Sequence, residues 1–244
     1  MNQKPLLQKI LPYQNSFILT FPFLERYDFI TCGMILKTKS DLPKTLLRLI
    51  GQKDPKLAIP EQRHTKKILP ILNEDDLNLL EKESFDGVFT KLKNIFLCVQ
   101  VADCIPLFVI AFEKRMVGLL HVGWRGFVSG IVKEFLTKAE RLFKIYPEDL
   151  IIVLGPYIKG CCYEVSCGVA ALFDRDMLNF NQNKIRLDLG KALFKELKKA
   201  GVKKQRIFLS PDCTFCHPEH YFSFRREKDR SKRMLAFIGI SEGS

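Results

Sequence analysis

Short stretches of alternating or unbroken apolar residues recur along the chain. They are "SFILTFPF" (16–23), "FITCGMIL" (29–36), "KKILPIL" (66–72), "IFLCVQV" (95–101), "LFVIAF" (107–112), "MVGLLHV" (116–122), "IIVLG" (151–155), "KIRLDL" (184–189), "RIFLS" (206–210) and "MLAFIGI" (234–240). Alternation at period two suits a strand with one wet face, and an unbroken run suits a strand covered on both faces. A longer period marks the helices. "VSGIVKEFLTKAERLFK" (128–144) sets Val128, Ile131, Phe135, Ala139 and Leu142 on one stripe. "GKALFKELKKA" (190–200) does the same with Leu193, Phe194 and Leu197, and Gly201 is placed to stop it. "SDLPKTLLRLIG" (40–51) opens on a Ser-Asp cap and closes at Gly51, and "GVAALFDRDML" (168–178) is a fourth, less regular segment.

Strands and helices are intermixed, without a long linker, an internal repeat or a low-complexity stretch. The pattern predicts one α/β domain over residues 1–244. The order is not a regular strand–helix alternation, which argues against a simple doubly wound sheet.

Composition narrows the class. The 244 residues are 47% apolar and 27% charged, ordinary for a chain that buries a sizeable core and unlike a disordered one. No run approaches the ~20 apolar residues of a membrane helix. "FILTFPFL" (17–24) holds a proline and runs into Glu25 and Arg26. The opening "MNQKPLLQKILPYQ" lacks the apolar stretch and small-residue cleavage site of a secretory leader. A cytoplasmic protein without a membrane partner is expected, with the chain a monomer or a weak homodimer. In a reducing compartment the eight cysteines are then buried thiols, metal ligands or a nucleophile rather than disulfides.

The net charge of +12 changes the picture less than its size suggests. Lysine is spread widely, as in "KALFKELKKAGVKK" (191–204), and the densest run is "RREKDRSKR" (225–233). Basic patches attract phosphate and nucleic acid. No RRM, KH or zinc-finger signature is present, so nucleic acid is not an expected partner and a lysine-rich solvated surface is the simpler reading.

Candidate chemistry gathers in "FLCVQVADCIPLFVIAFEKRMVGLLHVGWRGFVSG" (96–130). One strand ends at Asp103-Cys104, another ends at His121, and "GWRG" precedes the best helix. Each reactive residue alone is as well explained as a buried thiol or a satisfied core histidine. Gly123, Arg125 and Gly126 before a helix would suit an anion, because unpaired N–H groups and a planar guanidinium point at it. His64 in "PEQRHTKK" (60–67) would complete a His2Cys set with Cys104 and His121. Three protein ligands with a fourth position open are the arrangement of catalytic zinc. Copper is the alternative, with Met116 as a weak axial ligand. A second cluster, "CTFCHPEH" (213–220), contains the C-x-x-C-H of covalent haem attachment, and Cys213, Cys216, His217 and His220 offer a second metal site.

Taken in order, "QRH", "FDGVFT", "VADCIPL", "HVGWRG", "GPYIKGCCYEV" and "CTFCHPEHYFSFRR" resemble the YfiH-type laccase-domain family, also called polyphenol oxidoreductases and described as purine nucleoside phosphorylases. The resemblance spans roughly residues 60–240. It implies a four-layer α-β-β-α sandwich with mixed sheets and a zinc held by His64, Cys104 and His121. It implies phosphorolysis of adenosine, inosine and similar nucleosides, with adenosine deamination beside it. Cys104, His121 and Asp103 are the expected catalytic set, and Gln62, Arg125, Gly126 and Arg225 the expected contacts to substrate or phosphate. Asp86 and Glu164 are further carboxylates that could serve acid–base chemistry. Multicopper oxidation needs many histidines, and this chain has four. The resemblance also makes "CTFCHPEH" a loop lining the pocket, with Cys213 buried near it and both histidines outside.

Two departures from the family pattern stand out. "FITCGMILKTKS" (29–40) replaces a segment with an arginine and paired glycines, putting Cys32 where that arginine would be, and "SKR" (231–233) replaces a Thr-Gly-Arg. Altered phosphate contacts would follow. Two other functions fit the same residues: a metal-free Cys-His hydrolase with Cys104 as thiolate, and a non-enzymatic protein that binds acidic partners through its basic surface.

Overall fold

The structure, a computed structural model, describes residues 8–25, 27–181 and 184–241. Residues 1–7 of the segment read for a leader lie outside it. In chain order the first strands are β1 (Lys9–Tyr13), β2 (Ser16–Thr20), β3 (Ile30–Ile35), β4 (Lys56–Ala58) and β5 (Ile68–Ile71). Next come β6 (Gly87–Thr90), β7 (Ile95–Val101), β8 (Ile105–Ala111), β9 (Met116–Val122) and β10 (Ile151–Leu154). The last are β11 (Glu164–Val165), β12 (Leu178–Asn181), β13 (Lys184–Leu187), β14 (Ile207–Leu209) and β15 (Met234–Ile240). The helices are α1 (Leu42–Ile50), α2 (Leu79–Lys82), α3 (Trp124–Val128), α4 (Ile131–Phe143), α5 (Cys167–Ala170), α6 (Leu189–Lys199) and α7 (Phe224–Glu227).

Two six-stranded sheets form the middle of the molecule. One runs β1-β2-β3-β15-β7-β4 and the other β14-β10-β8-β9-β6-β5. Both are mixed. Most neighbours are antiparallel, while β4 lies parallel to β7, β5 to β6, and β14 to β10. A small antiparallel sheet, β11-β13-β12, sits beside them.

Which residues face which layer explains the unbroken apolar runs. Met34, Val99, Ala236 and Ile238 of the first sheet pack with Val88, Phe108, Ile110 and Leu119 of the second. The opposite face of the first sheet, through Ile35, Cys98 and Phe237, is covered by Leu46 of α1. The opposite face of the second, through Ile105, Leu107 and Val109, is covered by Phe135 of α4 and Leu193 of α6. The layers are therefore helix, sheet, sheet, helix, as the resemblance implied. Strands such as β7 and β8 are buried on both faces, which removes any need for alternation.

The local signals are answered in detail. Asp41 caps α1 by accepting from the Lys44 N–H at 2.8 Å, and Gly51 closes it in the left-handed region. The segment 128–144 differs from expectation. Gly130, at φ +87°, breaks it into α3 and α4, and Val128 stands 44% exposed rather than on the buried stripe. The segment 168–178 yields only one turn of helix at α5 and a 3-10 turn at Arg175–Met177. The run 16–23 stops as a strand at Thr20 because Pro22 opens a 3-10 turn. The strands missed by patterning, β1, β4, β6, β11 and β12, are short, and β1, β4, β11 and β12 close sheet edges where packing imposes less pattern. Among the described residues no helix is long and apolar enough to cross a membrane.

Candidate active site

The chain crosses from one sheet to the other at one end of the sandwich, and these crossings carry Cys104 and His64 beside the strand that holds His121. β7 of the first sheet leads through Ala102-Asp103-Cys104 into β8 of the second. Asp103 turns that corner at φ +93°, a conformation L-residues rarely adopt. His64 lies on the crossing from β4 to β5, also at positive φ, +60°. His121 stands near the end of β9, opposite Pro106 of β8. One ligand atom each from His64, Cys104 and His121 lie within 4.8 Å of one another.

Asp86, the residue before β6, organises this group. Its carboxylate accepts from the backbone N–H groups of Arg63 (3.2 Å), His64 (2.9 Å) and Thr65 (2.6 Å) and from the Thr65 hydroxyl (2.9 Å). It also meets His121 Nδ1 at 2.8 Å. One buried carboxylate thus holds the strained His64 loop and orients His121. The sequence marks Asp86 only as a carboxylate within "FDGVFT"; the role of holding the His64 loop and His121 emerges from the fold.

The donor set fits zinc. Asp86 on Nδ1 leaves His121 Nε2 for the ion, the carboxylate–histidine pairing usual behind a metal-bound imidazole. Cys104 Sγ and His64 Nε2 are 3.7 Å apart. Zn–S and Zn–N bonds of about 2.3 and 2.0–2.1 Å at a tetrahedral angle separate S from N by roughly 3.5–3.6 Å. Gly123 supplies room: a Cβ there would lie 2.9 Å from His64 Cδ2 and 3.0 Å from Cys104 Sγ. The copper alternative loses its axial ligand, because Met116 is five residues back along β9, about 17 Å at strand spacing, and fully buried.

Electrostatics favour ionised partners. Burial opposes a thiolate at Cys104, but the imidazoles of His121 and His64 outweigh it and hold the thiol down to about 6. Burial likewise opposes charge on His121, and Cys104 and Asp86 together raise it to about 9. Asp86 is lowered despite its own desolvation, by His121 and by the Thr65 N–H.

These groups open into a cleft of about 880 Å³. Arg63, Arg125, Arg225, Arg230 and Arg233 line it, with Trp124, Tyr163 and Phe224 as apolar walls. The Arg125 guanidinium lies 4.5 Å from the Trp124 ring, and that of Arg225 lies 5.1 Å from the Tyr163 ring. Arg225 Nη1 donates to the Glu164 carbonyl at 2.7 Å.

The other expected residues take more specific places. Gln62 lines the cleft, yet its amide pairs with the backbone of Gln100, donating to the carbonyl at 2.9 Å and accepting from the N–H at 2.7 Å. Asp103 accepts from Thr214 Oγ1 (2.7 Å), Ser223 Oγ (3.0 Å) and the Arg225 N–H (2.7 Å). The Glu164 carboxylate pairs with Lys184 at 3.1 Å and does not line the cleft. The helix begins at Trp124, after Gly123, rather than at Gly126. Gly126 is buried inside α3, where a Cβ would come within 2.9 Å of the Thr65 carbonyl, so close packing explains it. Cys32 sits mid-strand opposite Ile238, its thiol pushed up to about 12 by burial, away from the cleft lining. Arg63, Tyr163 and Arg233 lie inside "QRH", "GPYIKGCCYEV" and "SKR", but residue type alone gives them no role, and only the fold brings them to the cleft.

"CTFCHPEH" is partly as expected and partly not. Cys213 is buried while His217 and Cys216 are exposed. His217 pairs with Glu219 at 3.1 Å, and the His220 ring packs edge-on to Phe17. Among the described residues, neither histidine joins a group that could hold a metal ion. Cys213 and Cys216 instead meet Cys161 and Cys162.

Two mixed sheets layered between helices, with a His2Cys set at their crossing and an arginine-rich cleft before it, define a laccase-like, YfiH-type protein. Residues 43–241 match the family model described as "Multi-copper polyphenol oxidoreductase laccase", and the chain belongs to that family. It is 35% identical over 185 residues to a purine nucleoside phosphorylase of Aquifex aeolicus, covering 76% of this chain and 83% of the relative. It is 34% identical over 165 residues to the purine nucleoside phosphorylase YlmD of Geobacillus stearothermophilus, covering 64% of this chain and 60% of that one. In fold it is similar to the Bacillus licheniformis hypothetical protein YfiH (TM-score 0.83, 23% identity, 95% of this chain and 98% of that one). It is equally similar to crystalline YlmD of G. stearothermophilus (TM-score 0.82, 24% identity, 96% and 100%).

Proposed function

We propose that the protein is a zinc-dependent purine nucleoside phosphorylase acting on adenosine- and inosine-type nucleosides, with adenosine deamination as a companion reaction in the same cleft. The observation that carries this reading is the His64–Cys104–His121 set facing a cleft lined by guanidinium groups. Relatives named purine nucleoside phosphorylase support the reaction class. Zinc, when bound, supplies a Lewis acid and a water that ionises near neutral pH.

The chain's own residues do the rest. Arg125 and Arg225 offer planar donors to phosphate, and Trp124 and Tyr163 offer aromatic faces to a purine. In phosphorolysis a phosphate oxygen bonds to ribose C1′ as the C1′–N9 bond breaks, giving ribose 1-phosphate and the free base. In deamination water adds at purine C6 and ammonia leaves, giving inosine. Asp103, with three donors already on its carboxylate, positions Arg225 and the 213–216 loop. Asp86 keeps the His64 loop and His121 in place.

The test is a product assay on protein of measured zinc content. Adenosine or inosine with phosphate should yield base and ribose 1-phosphate, and Cys104→Ala should abolish both reactions. Neither base nor inosine from zinc-loaded protein overturns the reading.

One observation favours a second reading. Cys104, His121 and Asp86 also form a Cys-His-Asp series in which the thiol is already held low. A metal-free cysteine hydrolase would use the same atoms. Elemental analysis of protein purified without added metal separates the two, because stoichiometric zinc occupies the thiolate that hydrolysis would need.

A further inference from the structure

A second cluster of thiols lies where two loops are fastened together. Tyr157 and Cys213 form a parallel bridge, and the Thr214 N–H donates to the Tyr157 carbonyl at 3.1 Å. Lys159 Nζ donates to the carbonyls of Ser210 and Pro211, each at 2.7 Å. Beyond this seam the sulfurs of Cys161, Cys162, Cys213 and Cys216 all lie within 4.8 Å of one another.

Packing does not explain them. Cys98 is buried in the core, and Cys32 is a half-buried mid-strand thiol packed against it, so both fill apolar space. Of the four clustered thiols only Cys213 is buried; Cys161 and Cys216 are exposed and Cys162 is half-buried. Exposed free thiols are an oxidation hazard with no burial energy to offset it. Their spacing suits an ion. Cys216 Sγ is 3.9 Å from Cys161 Sγ and 3.3 Å from Cys162 Sγ. A tetrahedral ion with four sulfur bonds of about 2.3 Å sets its sulfurs roughly 3.8 Å apart. The Lys159 N–H donates to Cys213 Sγ at 3.4 Å, as donors do around a metal-bound thiolate.

We propose that Cys161, Cys162, Cys213 and Cys216 form a second, structural metal site that takes one zinc ion as a tetrathiolate. Binding releases the four thiol protons and leaves no open position, so this ion activates no water. Its effect is mechanical. One loop continues into Tyr163, a wall of the cleft. The other carries Thr214, whose hydroxyl holds Asp103 at 2.7 Å, and Arg226 Nη1 donates to the carbonyls of Thr214 and Phe215. A clip across the two loops fixes that wall without touching substrate.

Zinc counting on variants tests this independently of catalysis. Wild type should hold two zinc ions per chain and Cys104→Ala one. Cys104→Ala combined with Cys216→Ala should hold none. Cobalt-loaded Cys104→Ala should show intense thiolate-to-metal charge-transfer absorption that disappears with Cys216→Ala. Cys216 is exposed, so its replacement spares the core; circular dichroism should show unchanged secondary structure. Zinc-free Cys104→Ala overturns the proposal, as does a zinc content that Cys216→Ala leaves unchanged. A disulfide within the cluster in place of bound zinc overturns it too.

Discussion

Asp86 and His121 are joined twice: the carboxylate meets Nδ1 at 2.8 Å, and the His121 N–H donates to the Asp86 carbonyl at 2.7 Å. The same carboxylate holds three consecutive N–H groups of the His64 loop. Asp86→Asn would turn an amide N–H₂ toward donors it cannot satisfy. Zinc affinity at the His64–Cys104–His121 site should fall 10–100-fold, the usual cost of losing a carboxylate behind a metal-bound histidine. Stability should drop by about 1–3 kcal/mol. Chelator competition and denaturant titration read the two effects.

Gly123 has φ −91°, so alanine fits the backbone and only the site objects. Its Cβ would press on His64 and Cys104 at 2.9 and 3.0 Å. Gly123→Ala should lower nucleoside kcat/KM at least tenfold. The melting temperature should move by only a few degrees, as about 1 kcal/mol does in a chain of this size. An unchanged kcat/KM would show that the ligands can yield without loss.

Arg125 is exposed in the cleft and rests on Trp124, so its guanidinium is free to meet a ligand. Arg125→Ala should raise the KM for phosphate about tenfold or more, a loss of ~1.4 kcal/mol. Adenosine deamination, which uses no phosphate, should keep its kcat. Equal damage to both reactions would assign Arg125 to the nucleoside instead.

Glu196, on α6, is held up at about 6 by burial alone, against an ordinary 4.5. The folded chain therefore binds this proton more tightly than the unfolded chain. The stabilisation by neutral Glu196 is full below pH 4.5 and is lost as pH rises through 6. Glu196→Gln should be more stable than wild type by about 1–2 kcal/mol at pH 7, and the difference should vanish near pH 4. Urea titrations at the two pH values check the sign.

Patterning located the long central strands of the sandwich, such as β7, β8, β9 and β15, because both faces of each are covered, which leaves a dense apolar signal. It joined α3 to α4 because Gly130 acts through a positive φ, and composition alone does not announce that. Residue type offered His64, Cys104 and His121 as a candidate His2Cys set, and ordered motifs supported it through resemblance to a family, while spacing alone could not show that the three meet.

By itself, the sequence determined the α/β class, the core strands and helices, and which side chains carry reactive chemistry, since these follow from local periodicity and residue type. The tertiary structure decided which of them meet. It brought Asp86 under both His64 and His121, gave the amide of Gln62 to Gln100, and gave the Asp103 carboxylate to Thr214, Ser223 and Arg225. It also drew Cys161 and Cys162 to Cys213 and Cys216 across more than fifty residues, leaving the neighbouring histidines outside. Such contacts arise where the chain crosses between sheets and where loops are tied together, and long-range closure of that kind leaves no periodic trace in the sequence.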